Sequence, residues 1–315
     1  VLASQTAAGE TWRVQVTAID SNGLMSDIQV VTWDNIGIDC DGDGVTDTND
    51  DYPTDPDRAF NNYSTESTLV FEDLWPNKGD YDLNDFVLRH TFNTITNATG
   101  EVKEIAMTAY MVARGASYEN AFALSFAGTD ATNIASAAVT IDGIQSALVP
   151  EAGHTGEAVM VLTDNVFDAL PSGEHNFYNT QHGDNRAAVP LSLSVVFTSP
   201  VNAEVLGSAP FNPFIYRTSN RGNEIHLVDK APSDLANLTL LNTGDDASNS
   251  DTGTYYQTAL GHPWALNITT SWKHPLEHID ILVAYPQIKE WAENGGITNT
   301  NWYDNPVNAH CWQCL

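Results

Sequence analysis

The chain is poor in positive charge. Of its 315 residues 12 are Lys or Arg, against 41 Asp or Glu, a formal net charge of −29. A field of that sign repels phosphate backbones and anionic membranes, which argues against nucleic-acid binding. No run of about 18 apolar residues occurs, the length a membrane-spanning helix needs, so no membrane insertion is expected of this segment. Three cysteines, Cys40, Cys311 and Cys314, are too few for a disulfide-built scaffold, and the odd count leaves at least one thiol free or paired between chains. Gly-x-Ser-x-Gly elbows, phosphate-cradling glycine loops and nicotinamide fingerprints are absent, which demotes triad hydrolases and nucleotide enzymes. Neither an initiator Met nor a signal peptide precedes Val1-Leu2-Ala3-Ser4, so the chain reads as a processed piece whose export signal and upstream domains lie outside it.

What the chain does contain is clustered acid between short β-forming runs. Thr11 to Ala18 alternates apolar and polar residues, and Ile28 to Trp33 repeats the habit after Asp20-Ser21-Asn22-Gly23. Residues 1–34 are therefore expected to hold a β-hairpin, similar to the closing strands of an immunoglobulin- or cadherin-like module. Residues 35–59 are an Asp-rich linker, with eight Asp in the nineteen positions from Asp39 to Asp57. From residue 60 to 315 short strands separated by turn residues are expected at Thr68–Phe71, Phe86–Phe92, Glu104–Val112, Ala121–Phe126, Ala137–Ile141, Val159–Thr163 and Leu191–Phe197. Short helices are expected at Asn165–Leu170 and Pro286–Asn294. The fold class is thus mostly β, a sandwich or jelly roll with a few short helices.

Two stretches carry metal-ligand spacing. Counting Asp39 as position 1, carboxylates fall at 1, 3, 5, 9 and 12 (Asp39, Asp41, Asp43, Asp47, Asp50), a glycine at 6 (Gly44) and a backbone carbonyl at 7 (Val45). Calcium takes six to eight hard oxygen ligands, and a tight glycine turn lets alternate side chains converge on it. The second stretch is Glu72-Asp73 followed by Asp80, Asp82, Asn84 and Asp85, where alternate oxygens can meet across one turn. Ca²⁺ is the expected cofactor at both. Cys311-Trp312-Gln313-Cys314, without a second cysteine pair, supports neither zinc nor redox chemistry, and leaves a disulfide or free thiols open.

The first loop resembles a thrombospondin type 3 repeat, continued by Asp51, Asp55 and Asp57 with Pro53 and Pro56. Phe71-Glu72-Asp73-Leu74-Trp75-Pro76, then Gly79-Asp80-Tyr81-Asp82-Leu83-Asn84-Asp85-Phe86, resembles the signature of the LruC-domain family of bacterial surface and exported proteins. Ala116 to Phe122, Glu224 to Leu227, Gly261 to Asn267 and Glu290 to Tyr303 are similar to later blocks of that family, so the resemblance covers about Phe60 to Pro306. It implies an extracellular or cell-surface β domain with no established catalysis.

Three enzymatic or sugar-binding alternatives remain to be weighed. His274-Pro275-Leu276-Glu277-His278 has the His-x-x-Glu-His form of one zinc-protease class, but Pro275 interrupts the continuous helix that motif requires, which leaves surface histidines as the plainer reading. Glu72, Asp73 and Glu119 are the first carboxylates to examine for glycoside hydrolysis. Trp264, Trp272, Trp291 and Trp302 could stack on sugars, though such residues are more often core. The expected function is a calcium-binding structural or adhesive module, not an enzyme, whose partners are other surface proteins, copies of itself or glycans; a carbohydrate-binding or carbohydrate-cleaving domain is the alternative.

Overall fold

The computed structural model describes residues 11–34, 37–174 and 176–313. The chain divides into two compact units, Val1–Asn61 with Thr96–Gly100, and Asn62–Ile95 with Glu101–Leu315.

The first unit holds the expected hairpin, β1 (Thr11–Val16) against β2 (Gln29–Asp34), antiparallel with Val14 opposite Val31. Its turn is set locally. The Asp20 carboxylate accepts the backbone N–H groups of Asn22 and Leu24 at 2.8 and 2.9 Å, and Gly23 takes φ +80°, a conformation that costs glycine nothing. Val14, Val16, Leu24, Met25, Ile28 and Val30 are all exposed. The acidic loop follows, without regular strand or helix from residue 37 to 59.

The second unit is a β-sandwich, as the run of short strands predicts. After β3 (Phe60–Tyr63), its strands are β4 (Ser67–Phe71), β5 (Phe86–Thr96), β6 (Val102–Ala113), β7 (Asn120–Ala127), β8 (Ile134–Ile141), β9 (Ile144–Ala147), β10 (Glu157–Thr163), β11 (Val189–Val201), β12 (Asn212–Arg217), β13 (Asn220–His226) and β14 (Ala265–Ile268). One sheet runs β10-β7-β12-β13 and the other β14-β4-β5-β6-β11-β8-β9, with β3 added beside β5. All seven strands expected from residue 60 onward form, most of them longer than the pattern indicates. The hairpin β12–β13 is invisible to alternation, because Pro213 and the run Asn220-Arg221-Gly222-Asn223 hide it; pairing with β7 forms it instead.

Side-chain alternation assigns the two faces of the larger sheet. Leu69, Phe71, Phe86, Leu88, Met107 and Leu193 point inward to meet Phe122, Leu124, Phe126 and Ile215 of the smaller sheet in the main core. The intervening residues Val70, Val87, Leu266 and Ile268 point outward, and this face is buried too. It lies under the C-terminal segment, where α3 (Ile281–Ala284) and α4 (Gln287–Glu293) bring Ile281, Ala284, Tyr285 and Ile288 onto it and Trp302 follows from the turn beyond. Two other short helices, α1 (Val166–Ala169) and α2 (Ala203–Leu206), are capped by Asn165 and Asn202. No helix among the described residues is long and apolar enough to cross a membrane.

Candidate metal centres

The connection from β4 to β5 leaves the sheet at Phe71 and returns at Phe86, the residue paired with it, so everything between is a loop hung from one rung. That loop is strained in a regular way. Tyr81 and Leu83 both take positive φ (57° and 52°), unfavourable for residues with bulky side chains, yet both are buried, Tyr81 donating its hydroxyl to Pro263 O at 2.8 Å and Leu83 lying in the outer-face cluster. Burying alternate apolar residues leaves Asp80, Asp82 and Asn84 as the other set.

These meet a segment distant in sequence. The backbone N–H of His278 donates to Asp82 Oδ2 at 2.8 Å, and His278 Nδ1 lies 2.6 Å from Asp80 Oδ2. Asp80, Asp82, Glu277 and His278 each offer a ligand atom, all within 4.8 Å of one another. Asn84 is wholly buried, and its Oδ1 has no hydrogen-bond partner while its Nδ2 donates to Pro275 O. A Cβ built on Gly115 would fall 1.8 Å from that Oδ1 and 2.9 Å from Glu277 Oε2, so glycine is what allows the two oxygens to approach. Gly115→Ala is expected to destabilise the second unit by about 1–3 kcal/mol through this overlap, as read by urea unfolding.

Glu72 closes the cluster from below. It is 0% exposed; Oε2 accepts the N–H groups of Asp82 and Leu83 at 3.1 and 3.4 Å, and Oε1 meets no donor. Burial, followed by the charges of Asp82, Asp80 and Asp73, pushes the Glu72 carboxyl well above its ordinary range. Asp82 is raised in the same way, by burial first and then by Glu277 and Asp80. Glu277, its side chain 7% exposed and accepting the Thr180 hydroxyl at 2.7 Å, is pushed up to about 7 by burial. His278, largely exposed, is raised by its bond to Asp80.

Asp73 and Asp85 form an adjoining pair. The Asp73 N–H donates to Asp85 Oδ2 at 2.6 Å, the Asp73 carboxylate accepts Asn120 Nδ2 at 2.7 Å, and Arg217 donates to Asp73 O at 2.9 Å. Burial raises Asp73 to about 6 and Asp85 well above the usual range. Two guanidinium groups, Arg217 beside Asp73 and Arg114 towards Glu277, thus face a larger group of carboxylates that low dielectric forbids to ionise together. Oxygen-rich, largely buried and short of counter-charge, this donor set fits a hard divalent cation held by Asp80, Asp82, Glu277 and Asn84, with Glu72 beneath.

The acidic loop of the first unit is built from Asx turns. Asp39 accepts the N–H groups of Gly42 and Gly44 at 2.7 and 3.2 Å, Asp41 that of Asp43, Asp43 that of Val45 and Asp50 that of Tyr52. Each bond uses one carboxylate oxygen. The second oxygens of Asp41, Asp43 and Asp50 are cut off from solvent without a partner, and Asp50 is 8% exposed. Asp39, Asp41 and Asp43 bring ligand atoms within 4.8 Å of one another, and partial burial with the charges of Asp43, Asp50 and Asp39 raises Asp41. Positions 1, 3 and 5 therefore lie together, and Asp50 at position 12 bears on Asp41 through its charge. At position 9, Asp47 accepts the Cys40 N–H at 2.8 Å and lies 3.0 Å from its thiol, a bond that holds Asp47 below the usual carboxylate range.

A third acidic group shows what a satisfied cluster looks like. His154, Glu157 and Asp234 lie together, but Glu151 and Glu224 hold Arg221 between them, His154 bridges Glu151 and Glu157, and Glu224 also takes His226 and Ser233. Glu224 is accordingly held down to about 2 by its hydrogen bonds and the nearby cations, which outweigh its burial.

The remaining sequence candidates disperse. His274 is a core residue rather than a surface one: it is 0% exposed, stacks on Trp312, bonds Asn179 O at 2.6 Å, and is pushed down to about 4 by burial. It is not among the residues that meet Asp80 and Asp82, whereas Glu277 and His278 of the same motif are. Glu119 is exposed. Trp264, Trp272 and Trp302 are core, and Trp291 packs against the outer-face cluster. Cys311 is a buried free thiol and Cys40 an exposed one, while Cys314 lies outside the described residues.

A family model described as a domain of unknown function, DUF4842, matches residues 100–303. The chain belongs to this family. The matched segment contains Gly115, Asn120, Arg217, Glu277 and His278, and it lies within the region of the LruC resemblance; Glu72, the loop 80–85 and the acidic loop precede it. No curated protein matches the chain. Among solved structures, a putative lipoprotein from Bacteroides ovatus is similar with a TM-score of 0.64 and 16% identity, over 98% of this chain and 94% of that one. At that identity the likeness bears on the fold, which it shares.

Proposed function

We propose that this chain is a calcium-stabilised module of a bacterial surface or exported protein, with a structural or adhesive task and no catalysis of its own. The observation that carries the reading is the set of buried oxygens without partners, Glu72 Oε1 and Asn84 Oδ1, beside Asp82 and Glu277. Leaving a buried acceptor unpaired costs about 1–3 kcal/mol, more for a charged one, unless an ion completes it. Calcium suits it because the donors are almost all oxygen and the one histidine stands at the solvent edge. The orphan oxygens of Asp41, Asp43 and Asp50 support a second ion in the acidic loop. Location at the cell surface rests on the LruC resemblance and on the likeness to the putative lipoprotein of Bacteroides ovatus; the partners would be other surface proteins, copies of the chain, or glycans.

Calorimetric titration of chelator-treated protein with Ca²⁺ tests the reading, and the expected result is two classes of site. Asp41→Ala with Asp43→Ala should abolish one class and open the loop to proteolysis between residues 39 and 57. The class that depends on Asp82 and Glu277 should persist in that variant and vanish in Asp82→Ala. Absence of binding heat in the unaltered protein would sink the proposal.

A further inference from the structure

Twelve cations serve a chain of 315 residues, and most of those described are already engaged. Arg58, Lys78, Arg186, Arg221 and Lys289 each pair with a carboxylate. Arg114 is buried among carbonyls of its own fold and Arg217 lies over the Tyr118 ring beside Asp73. Two of the others line one cavity. Among the described residues, Arg89, on β5, meets the Tyr110 ring, at 5.6 Å, and the Lys273 ammonium reaches the Gln313 side-chain oxygen, at 3.5 Å, and neither has a carboxylate within 4.0 Å.

The cavity, ≈ 660 Å³, opens on the outer side of the larger sheet next to the C-terminal segment, a size suited to a small ligand. Its walls are fixed. Trp312 stacks one face on His274 at 5.3 Å between ring centres and donates its indole N–H to Asp184 O at 2.7 Å; Trp272 packs on Tyr285 at 5.0 Å. Arg186, which also lines it, is neutralised by Asp184 through bonds of 2.8 and 2.6 Å. What is left is two unpaired cations beside a rigid indole, in a molecule whose overall field repels anions. Such a site discriminates by contact rather than by long-range attraction.

We infer that this cavity binds a uronic acid residue of an acidic glycan, its carboxylate between Arg89 and Lys273 and its ring against Trp312. Guanidinium and ammonium groups recognise the carboxylate, and an aromatic face recognises the C–H face of the sugar. The inference does not rest on the calcium reading, since none of these residues belongs to either metal centre. The test is titration of the calcium-saturated full chain with methyl glucuronide, methyl glucoside and acetate, followed by tryptophan fluorescence and calorimetry. The glucuronide should bind at least tenfold more tightly than either control. Arg89→Gln and Lys273→Gln should each weaken it at least fivefold at unchanged melting temperature; Lys273 is exposed, so its variant folds whatever Arg89 does for the sheet. Equal binding of the neutral sugar, equal binding of acetate, unaltered affinity in both variants, or no binding of the glucuronide would each overturn it.

Discussion

Metal-free protein should become less stable as the pH rises from about 4 to 7, and calcium should reverse that trend. The sign follows from the second unit's carboxyls. Asp73 moves from 3.8 to about 6 and Glu277 from 4.5 to about 7, while Glu72, Asp82 and Asp85 shift in the same direction. A carboxyl whose pKa is higher in the folded state binds its proton more tightly there. Below the unfolded pKa both states are protonated and nothing is lost. As the pH climbs, the unfolded chain ionises first and gains by it, until the folded group ionises in turn. A shift of about two units corresponds to roughly 3 kcal/mol, and because these carboxyls interact their shifts do not simply add, so the stability lost across that window is on the order of a few kcal/mol. His274, held near 4, and His90 and His262, which burial also lowers, act in the opposite sense, but against five raised carboxyls. Urea unfolding at pH 5 and pH 8, with chelator and with calcium, reads this directly. The expected pattern is a crossing: with chelator the protein is more stable at pH 5, and with calcium at pH 8, where carboxylates no longer hold protons against the ion. Parallel pH profiles in the two conditions would show that the buried carboxyls are not ligands.

Chelation at pH 7.5 should lower the melting temperature by roughly 5–10 °C. An ion that binds only the folded chain stabilises it by about 2.7 kcal/mol at a hundredfold excess over its dissociation constant, and for a unit of this size each kcal/mol moves the midpoint by about 2–4 °C. The two units should respond separately. In Asp41→Ala with Asp43→Ala the acidic loop loses its dependence on calcium, yet the sandwich, with its own ligands, keeps the shift. In Asp82→Ala the sandwich loses its shift and the loop keeps its protection from proteases. Scanning calorimetry of the three proteins with and without chelator decides the matter; a single shift removed equally by either variant would mean that one ion serves both.

The sequence by itself determined those parts of the protein whose causes are local. Alternation of apolar residues placed seven strands of the sandwich, because a strand's two faces are written in successive residues. The acidic loop was legible for the same reason: Asp39, Asp41 and Asp43 come together through turns spanning two to five residues, with Gly42 and Gly44 supplying positive φ. Asp47 fits the same phasing and bonds the backbone N–H and thiol of Cys40. Half of the second centre was equally local, in Glu72 and the alternation of Asp80, Asp82 and Asn84.

Only the tertiary structure supplied the other half. Glu277 and His278 lie almost two hundred residues beyond Asp80, and they reach it because Leu276 and Pro275 pair with the chain end at His310 and Cys311 while α3 docks on Tyr81 O. The His-x-x-Glu-His spacing did flag these residues, though for a helical zinc site that Pro275 precludes; their actual use depends on a loop, a positive φ at His278 and the absence of a side chain at Gly115. Arg89 and Lys273 carried no signal at all, because an unpaired cation is recognisable only once every carboxylate that could have reached it has been placed. Long-range packing decides which charges end up with partners, and no spacing along the chain encodes that.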